Sequence, residues 1–120
     1  MISWAAHSLR IVAVGGALLA SLAGCSDGGG DTLAGRGKQV YLAQCIQCHN
    51  ANPAIAGPVG PPLTGSTREL LEAKVLRGEY PPGYTPKRPG SSTMPHFEYL
   101  APKIPALAAY LAEMKATKPE

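Results

Sequence analysis

The stretch that decides how this chain is read is Cys45-Ile46-Gln47-Cys48-His49, two thiols three positions apart with an imidazole next in line. Thiols at that spacing can each add to one vinyl group along a single edge of the same macrocycle. The histidine that follows is then held under the macrocycle centre, so attachment and ligation are set together. The pentapeptide is a signature of covalent c-type haem attachment. Two other uses of paired thiols compete with it. A zinc site would need two further ligands beside the thiolates, and His96 is the one other histidine that follows residue 24. A thioredoxin-like dithiol needs a βαβ pattern, and no stretch of this chain alternates convincingly as a strand would.

Just before the motif, Asp31 or Thr32 can cap a helix running toward Cys45. Leu33, Gly37, Val40, Tyr41 and Gln44 fall on one face of it at helical spacing. Gly35 and Gly37 each cost about 1 kcal/mol of helix propensity relative to Ala, so at least one of them should have a packing reason.

After the motif, Asn50 to Gly65 holds four prolines and three glycines, which predicts irregular chain. Ser66-Thr67-Arg68-Glu69 then matches a capping box and opens a second helix. Leu70, Leu71, Lys74, Val75 and Leu76 continue that helix, and Gly78 is a natural stop. Glu79 to Ser92, with four more prolines, predicts a second long loop. A last helix starts near Pro102 or Pro105, either acceptable in a first turn. Its stripe is Ile104, Leu107, Ala108, Leu111 and Met114 or Lys115, with Tyr110 beside it. The expected fold class is therefore all-α, three to four helices with long Pro/Gly-rich loops. So little helix buries little apolar area, and a large apolar cofactor would supply the missing core.

The N-terminal region has a different character. Ile11 to Leu22 is an apolar run preceded by Arg10 and followed by Ala23-Gly24-Cys25. It is too short to cross a bilayer, which needs about 20 residues, and suits the core of an export signal instead. Leu22-Ala23-Gly24-Cys25 resembles a bacterial lipobox, which implies cleavage before Cys25 and lipid attachment to it. Ser26 is not the Asp that favours inner-membrane retention, so in a Gram-negative envelope the outer membrane is preferred. Residues 1–24 are thus read as a lipoprotein signal peptide, 25–32 as a lipidated N-terminus and flexible tether, and 33–120 as the domain. The three cysteines divide into one lipid site and two haem anchors, with no free thiol left over. Without Arg10 the 11 Lys and Arg become a slight excess over the 8 Asp and Glu, a net charge of +2. Haem propionates would cancel about two charges. That balance gives no argument for nucleic acid, and any charged docking patch must be local, such as Lys87 with Arg88 or Lys74 with Arg77.

From Leu33 to Lys115 the chain resembles class I cytochromes c. Gly37-x-x-x-Tyr41 stands before Cys45 as a Gly and an aromatic do in the family's N-terminal helix, and Leu107-x-x-Tyr110 matches the partner positions on the C-terminal helix. The resemblance implies that these helices cross with Gly37 at the close approach. Gly60-Pro61-Pro62-Leu63 is similar to the family's Gly-Pro-x-Leu, which implies that the Pro61 carbonyl accepts a hydrogen bond from His49. Thr93-Met94-Pro95 is similar to the Met-Pro of the distal loop. The family's propionate-bonding tryptophan has no counterpart here, because the single Trp is Trp4. Tyr80, Tyr84 or Arg88 in the second loop can take that role.

Met94 and Met114 are the methionines that follow the signal. Met114 sits in a helix stripe, where methionine usually fills core. Met94 lies in an irregular loop before Pro95, where a side chain can be aimed at a metal, and His96 is its rival. With His49 and Met94 as the iron ligands, both axial positions are filled and substrate does not reach the metal easily. The expected function is an exported, lipid-anchored monohaem carrier that passes single electrons between redox proteins on the periplasmic side of a bacterial envelope. It is not an enzyme and takes no small-molecule substrate. The alternatives are a haem subunit docked on a larger oxidoreductase, or a haem-based sensor or enzyme in which Met94 is displaced.

Overall fold

The computed structural model describes residues 30–90 and 94–116. The expected signal peptide, Cys25, most of the tether and Thr93 lie outside them.

Helix α1 spans Leu33–Gln44 and begins where the sequence supplies a cap. Thr32 is extended, and its hydroxyl accepts from the Gly35 N–H at 2.9 Å. The helix ends on Cys45, whose N–H still reaches the Tyr41 carbonyl, so the haem motif is the direct continuation of a helical turn. Its buried face is Ala34, Gly37 and Tyr41. Leu33 and Gln44, expected on that face, are exposed, because the face that meets the core is rotated by one residue toward Ala34.

Helix α2, Arg68–Leu71, departs from the expected capping box. Its cap is Thr67, whose hydroxyl accepts from Leu70 N–H at 3.2 Å. Ser66 is instead drawn into a turn, with its N–H bonded to the Leu63 carbonyl and its side chain buried. Glu69 therefore stands one place too early to complete a box with the cap. The chain then widens into one π-helical turn, Glu72–Leu76, and Gly78 ends it with φ +74°, a left-handed conformation that glycine adopts without strain. A 3₁₀ segment, Glu98–Lys103, carries Pro102 and leads straight into α3, Ile104–Ala116. Among the described residues there is no strand. Residues 50–65 form neither helix nor strand, as the proline and glycine density predicts.

The architecture rests on α1 crossing α3. At Gly37 a Cβ would overlap the Ala106 carbonyl, so the two backbones touch and only glycine fits. Here is the packing reason that the sequence asked of one of the two helix glycines. Beside the crossing, Tyr41 and Tyr110 pack ring to ring, centroids 5.6 Å apart and tilted by 55°. Ile104, Leu107 and Leu111 complete the α3 face, with Leu71 and Val75 from the second helical segment and Leu100 from the 3₁₀ segment.

Gly37→Ala sets two effects against each other. Helix propensity gains about 1 kcal/mol, whereas overpacking against unyielding backbone costs up to about 3 kcal/mol. The expected result is a net loss of about 2 kcal/mol, read as a lower denaturant midpoint with an unchanged slope in equilibrium unfolding of the haem-loaded protein.

Candidate functional site

Where α1 ends, the motif turns back on itself. His49 N–H bonds to the Cys45 carbonyl at 2.9 Å, and Val59 and Gly60 N–H groups both reach the Cys48 carbonyl. The irregular segment after the motif is thereby laid against it. At Gly60 any Cβ would collide with the His49 ring, and at Gly57 with the backbone of Cys48 and His49. These two glycines let the loop lie flat on the imidazole.

His49 itself is buried, 6% exposed, and its Nδ1 lies 2.9 Å from the Pro61 carbonyl. Nδ1 is thus the protonated, donating nitrogen, and Nε2 is the one left with a lone pair for a metal. Burial holds the imidazole below its ordinary pKa; the Pro61 bond opposes that shift and the Arg88 charge adds to it. The neutral ring is the form that binds a metal.

Cys45, Cys48 and His49 share a cleft of about 990 Å³, part of it open to solvent. Its walls are mostly apolar: Tyr41, Leu70, Leu71, Val75, Leu107 and Leu111 come from the three helical segments. Val59, Pro61 and Leu63 line it from the first long loop, and Tyr80, Tyr84, Met94 and Pro95 from the region after Gly78. A cleft with that apolar lining suits a large flat apolar cofactor. Burial pushes the Cys45 thiol up to about 11, so it stands in the cleft as a neutral thiol at neutral pH. Among the described residues no three His, Cys, Asp or Glu side chains gather as a metal cage.

One polar atom in the cleft stands out. Ser66 Oγ is buried and finds no hydrogen-bond partner among the described residues, though Ser66 lines the cleft. A buried hydroxyl without a partner is costly. A cofactor that is apolar in its body and polar at its rim would satisfy it, and haem has that character. The residues present therefore fit the group that the motif implies.

A profile of the cytochrome c family matches residues 34–115, most of the chain. The chain belongs to the cytochrome c family. It binds haem c covalently through the Cys45-to-Cys48 spacing, and it is a haem-based electron-transfer protein. No curated protein matches it.

The other sequence-selected residues separate in space. Met94 is half-buried and lines the cytochrome cleft, whereas Met114 packs against the hydrophobic core away from it and His96 is exposed. Tyr80 and Tyr84 both line the cleft and stack, centroids 5.4 Å apart and 9° from parallel, with Lys74 Nζ 4.1 Å from the Tyr80 ring centroid. Arg88 is engaged elsewhere: its Nη1 donates to the Val59 carbonyl at 2.6 Å. Lys87, which lines the cleft, was not singled out as a cofactor residue by the sequence, nor was Ser66. Neither belongs to a motif that points to a cofactor, and their placement depends on contacts between distant segments. Lys74 reaches the Gly78 carbonyl, and Arg77 pairs loosely with Glu79 at 3.6 Å, so three of the four cations named as docking candidates hold backbone carbonyls, near or distant in sequence, and the fourth has an acidic neighbour.

Ser66→Ala tests the fit by its sign. With a cofactor atom bonded to the hydroxyl, the substitution destabilises the haem-loaded protein by about 1 kcal/mol. Were the hydroxyl still without a partner in the loaded protein, alanine would be neutral or stabilising in denaturant unfolding.

Proposed function

We propose that this cytochrome is an exported, lipid-anchored carrier that passes single electrons between redox proteins of a bacterial envelope, with His49 and Met94 as the two iron ligands. One observation carries the ligand assignment: Met94 lines the same cleft as His49, while His96 and Met114 do not. Bound haem supplies one-electron exchange at iron. The chain's own residues decide what else can happen there. Cys45 and Cys48 hold the macrocycle by covalent bonds, and Pro61 fixes the orientation of His49 and raises its basicity. Met94 would offer the bound haem a soft, neutral thioether, a donor that favours the reduced metal and would leave small molecules no ready access to it. Apolar walls from α1, the second helical segment and α3 exclude water. Such a site exchanges electrons without making or breaking bonds to a substrate, which supports a carrier over a sensor or an enzyme.

The anchor rests on the sequence. The apolar run Ile11 to Leu22, its following Leu22-Ala23-Gly24-Cys25 and the glycine-rich stretch to Asp31 place a lipid on Cys25 and a tether after it. Among the described residues no helix is long and apolar enough to cross a membrane. Attachment through acyl chains needs none. The outer membrane is the proposed location in a Gram-negative envelope.

With Met94 on the iron, the reduced wild type does not bind carbon monoxide at neutral pH, whereas reduced Met94→Ala binds one equivalent. Absorbance in the Soret region checks this. Prompt binding by the wild type would replace the carrier reading with a sensor or an enzyme.

A further inference from the structure

The segment after the haem motif has an unusual hydrogen-bonding problem. Pro58, Pro61 and Pro62 have no N–H to donate, and no helix or sheet ladder runs through residues 57–64. Several of its N–H groups do find backbone acceptors: Gly57 bonds to Gly60, Val59 and Gly60 to Cys48, Leu63 and Thr64 to Pro53. The carbonyls of Val59, Pro62 and Thr64 are held from another part of the chain. Lys87 Nζ donates to Pro62 O at 3.0 Å and to Thr64 O at 3.3 Å, and Arg88 Nη1 donates to Val59 O at 2.6 Å. Two consecutive cations thus grip the loop on both sides of Pro61, the residue whose carbonyl lies against His49 Nδ1.

We propose that Lys87 and Arg88 form a strap whose function is to press the Pro61 carbonyl onto His49, making both of them positioning residues that set the redox potential of the haem iron. The inference rests on His49 being the iron ligand, as proposed above. A firm bond from Nδ1–H to a carbonyl makes the opposite ring nitrogen a better donor, which stabilises the oxidised metal. The loop that presents this carbonyl is rich in proline and glycine and has no ladder of its own to stiffen it. From Gln39 to Thr67 the sequence carries no Lys, Arg, Asp or Glu, so a charge-assisted grip on this loop has to be supplied by another segment. Hydrogen bonds from charged donors are about twice as strong as neutral ones. Partial burial of the Lys87 ammonium, which holds it below the ordinary lysine value, accords with a side chain laid onto the protein.

Two effects of these cations on the potential have opposite signs. Loosening the strap weakens the donation from His49 and raises the potential. Removing positive charge near the metal favours its oxidised form and lowers the potential. The through-space part shrinks as salt is added, while the bonded part does not.

The test uses the haem-loaded protein and the double variant Lys87→Met, Arg88→Met, with Lys87→Arg, Arg88→Lys as the charge-conserving control. The first readout is hydrogen exchange at His49 Nδ1–H in the reduced protein by NMR, referenced to amides of α1 and α3. Exchange is expected to be faster by about tenfold, the factor one net hydrogen bond is worth, with helix amides unchanged. The control is expected to restore most of the protection. The second readout is the midpoint potential: at high salt, where the through-space part is screened, the double variant should lie above wild type, and lowering the salt should bring the difference down. Wild-type exchange at Nδ1–H in the double variant overturns the strap. So does a potential difference that vanishes at high salt, since the cations would then act by charge alone. A wild type whose reduced form shows no protected, ring-shifted Nδ1–H of His49 overturns the ligand assignment, and the strap with it.

Discussion

The contact on which everything else depends is backbone against backbone, Gly37 of α1 on Ala106 of α3. A side chain at that position would part the helices by its own width. Because the helices touch, Tyr41 reaches Tyr110 one turn further along, and its hydroxyl meets the Asn50 carbonyl at 2.5 Å. That hydroxyl is buried deeply enough for its pKa to be pushed up to about 12, chiefly by desolvation. It ties the end of α1 to the residue directly after His49. The crossing therefore does more than pack two helices. It fixes where the haem motif emerges relative to Leu107 and Leu111 on the facing helix.

The hydrophobic core and the cofactor cleft are built from the same residues. Tyr41, Leu71, Val75, Leu107 and Leu111 belong to the buried cluster and also line the cleft. A small domain with three short helical segments has little apolar surface to bury against itself. Covalent attachment at Cys45 and Cys48 makes a large apolar body a permanent part of that core. Folding and cofactor retention are coupled for this reason. The long proline-rich loops are tolerable because both line the cleft that the cofactor fills and are bonded to one another through Lys87 and Arg88.

How much of this was legible in the sequence varies with the range of the interaction that decides it. The motif, α1, α3 and the irregular stretch 50–65 follow from local spacing and from proline and glycine, and the structure agrees with them. Local chemistry alone puts the cap of α2 one residue early, because Ser66 and Thr67 are equivalent in it. What separates them is tertiary: Gly65 N–H bonds to the Leu111 carbonyl and Ser66 closes a turn onto Leu63, so Ser66 is carried into the cleft and Thr67 is left to cap. The rotation of the α1 face toward Ala34 is similar, since Leu33 carries more apolar area yet is left 47% exposed while Ala34 is buried. Neither the π-helical turn nor the 3₁₀ entry to α3 has a local signature. The bonds from Lys87 and Arg88 cross 23 to 29 residues and could not be read from spacing at all.

Those same bonds alter what the charges of this protein are for. In sequence, Lys87 with Arg88 reads as a surface patch that could greet an acidic partner. In the structure both cations are bonded to backbone carbonyls beside His49, and Lys74 is turned onto Tyr80 and Gly78. The loop they reach contributes exposed apolar side chains instead, Ile55 at 52% and Val59 at 42%, with Ile46 exposed between the two cysteines. Hydrogen bonds to neutral carbonyls leave the charges of Lys87 and Arg88 in place, so both still lend this face a local positive field, from side chains fixed on the loop. Tethering offers another route to fast encounter. A lipid-anchored donor confined to a membrane surface meets its partners at a raised effective concentration, so steering by charge matters less. On the proposed reading, an anchor on Cys25 would bring partners together at the membrane, and the two cations would serve the site at His49 more than the encounter.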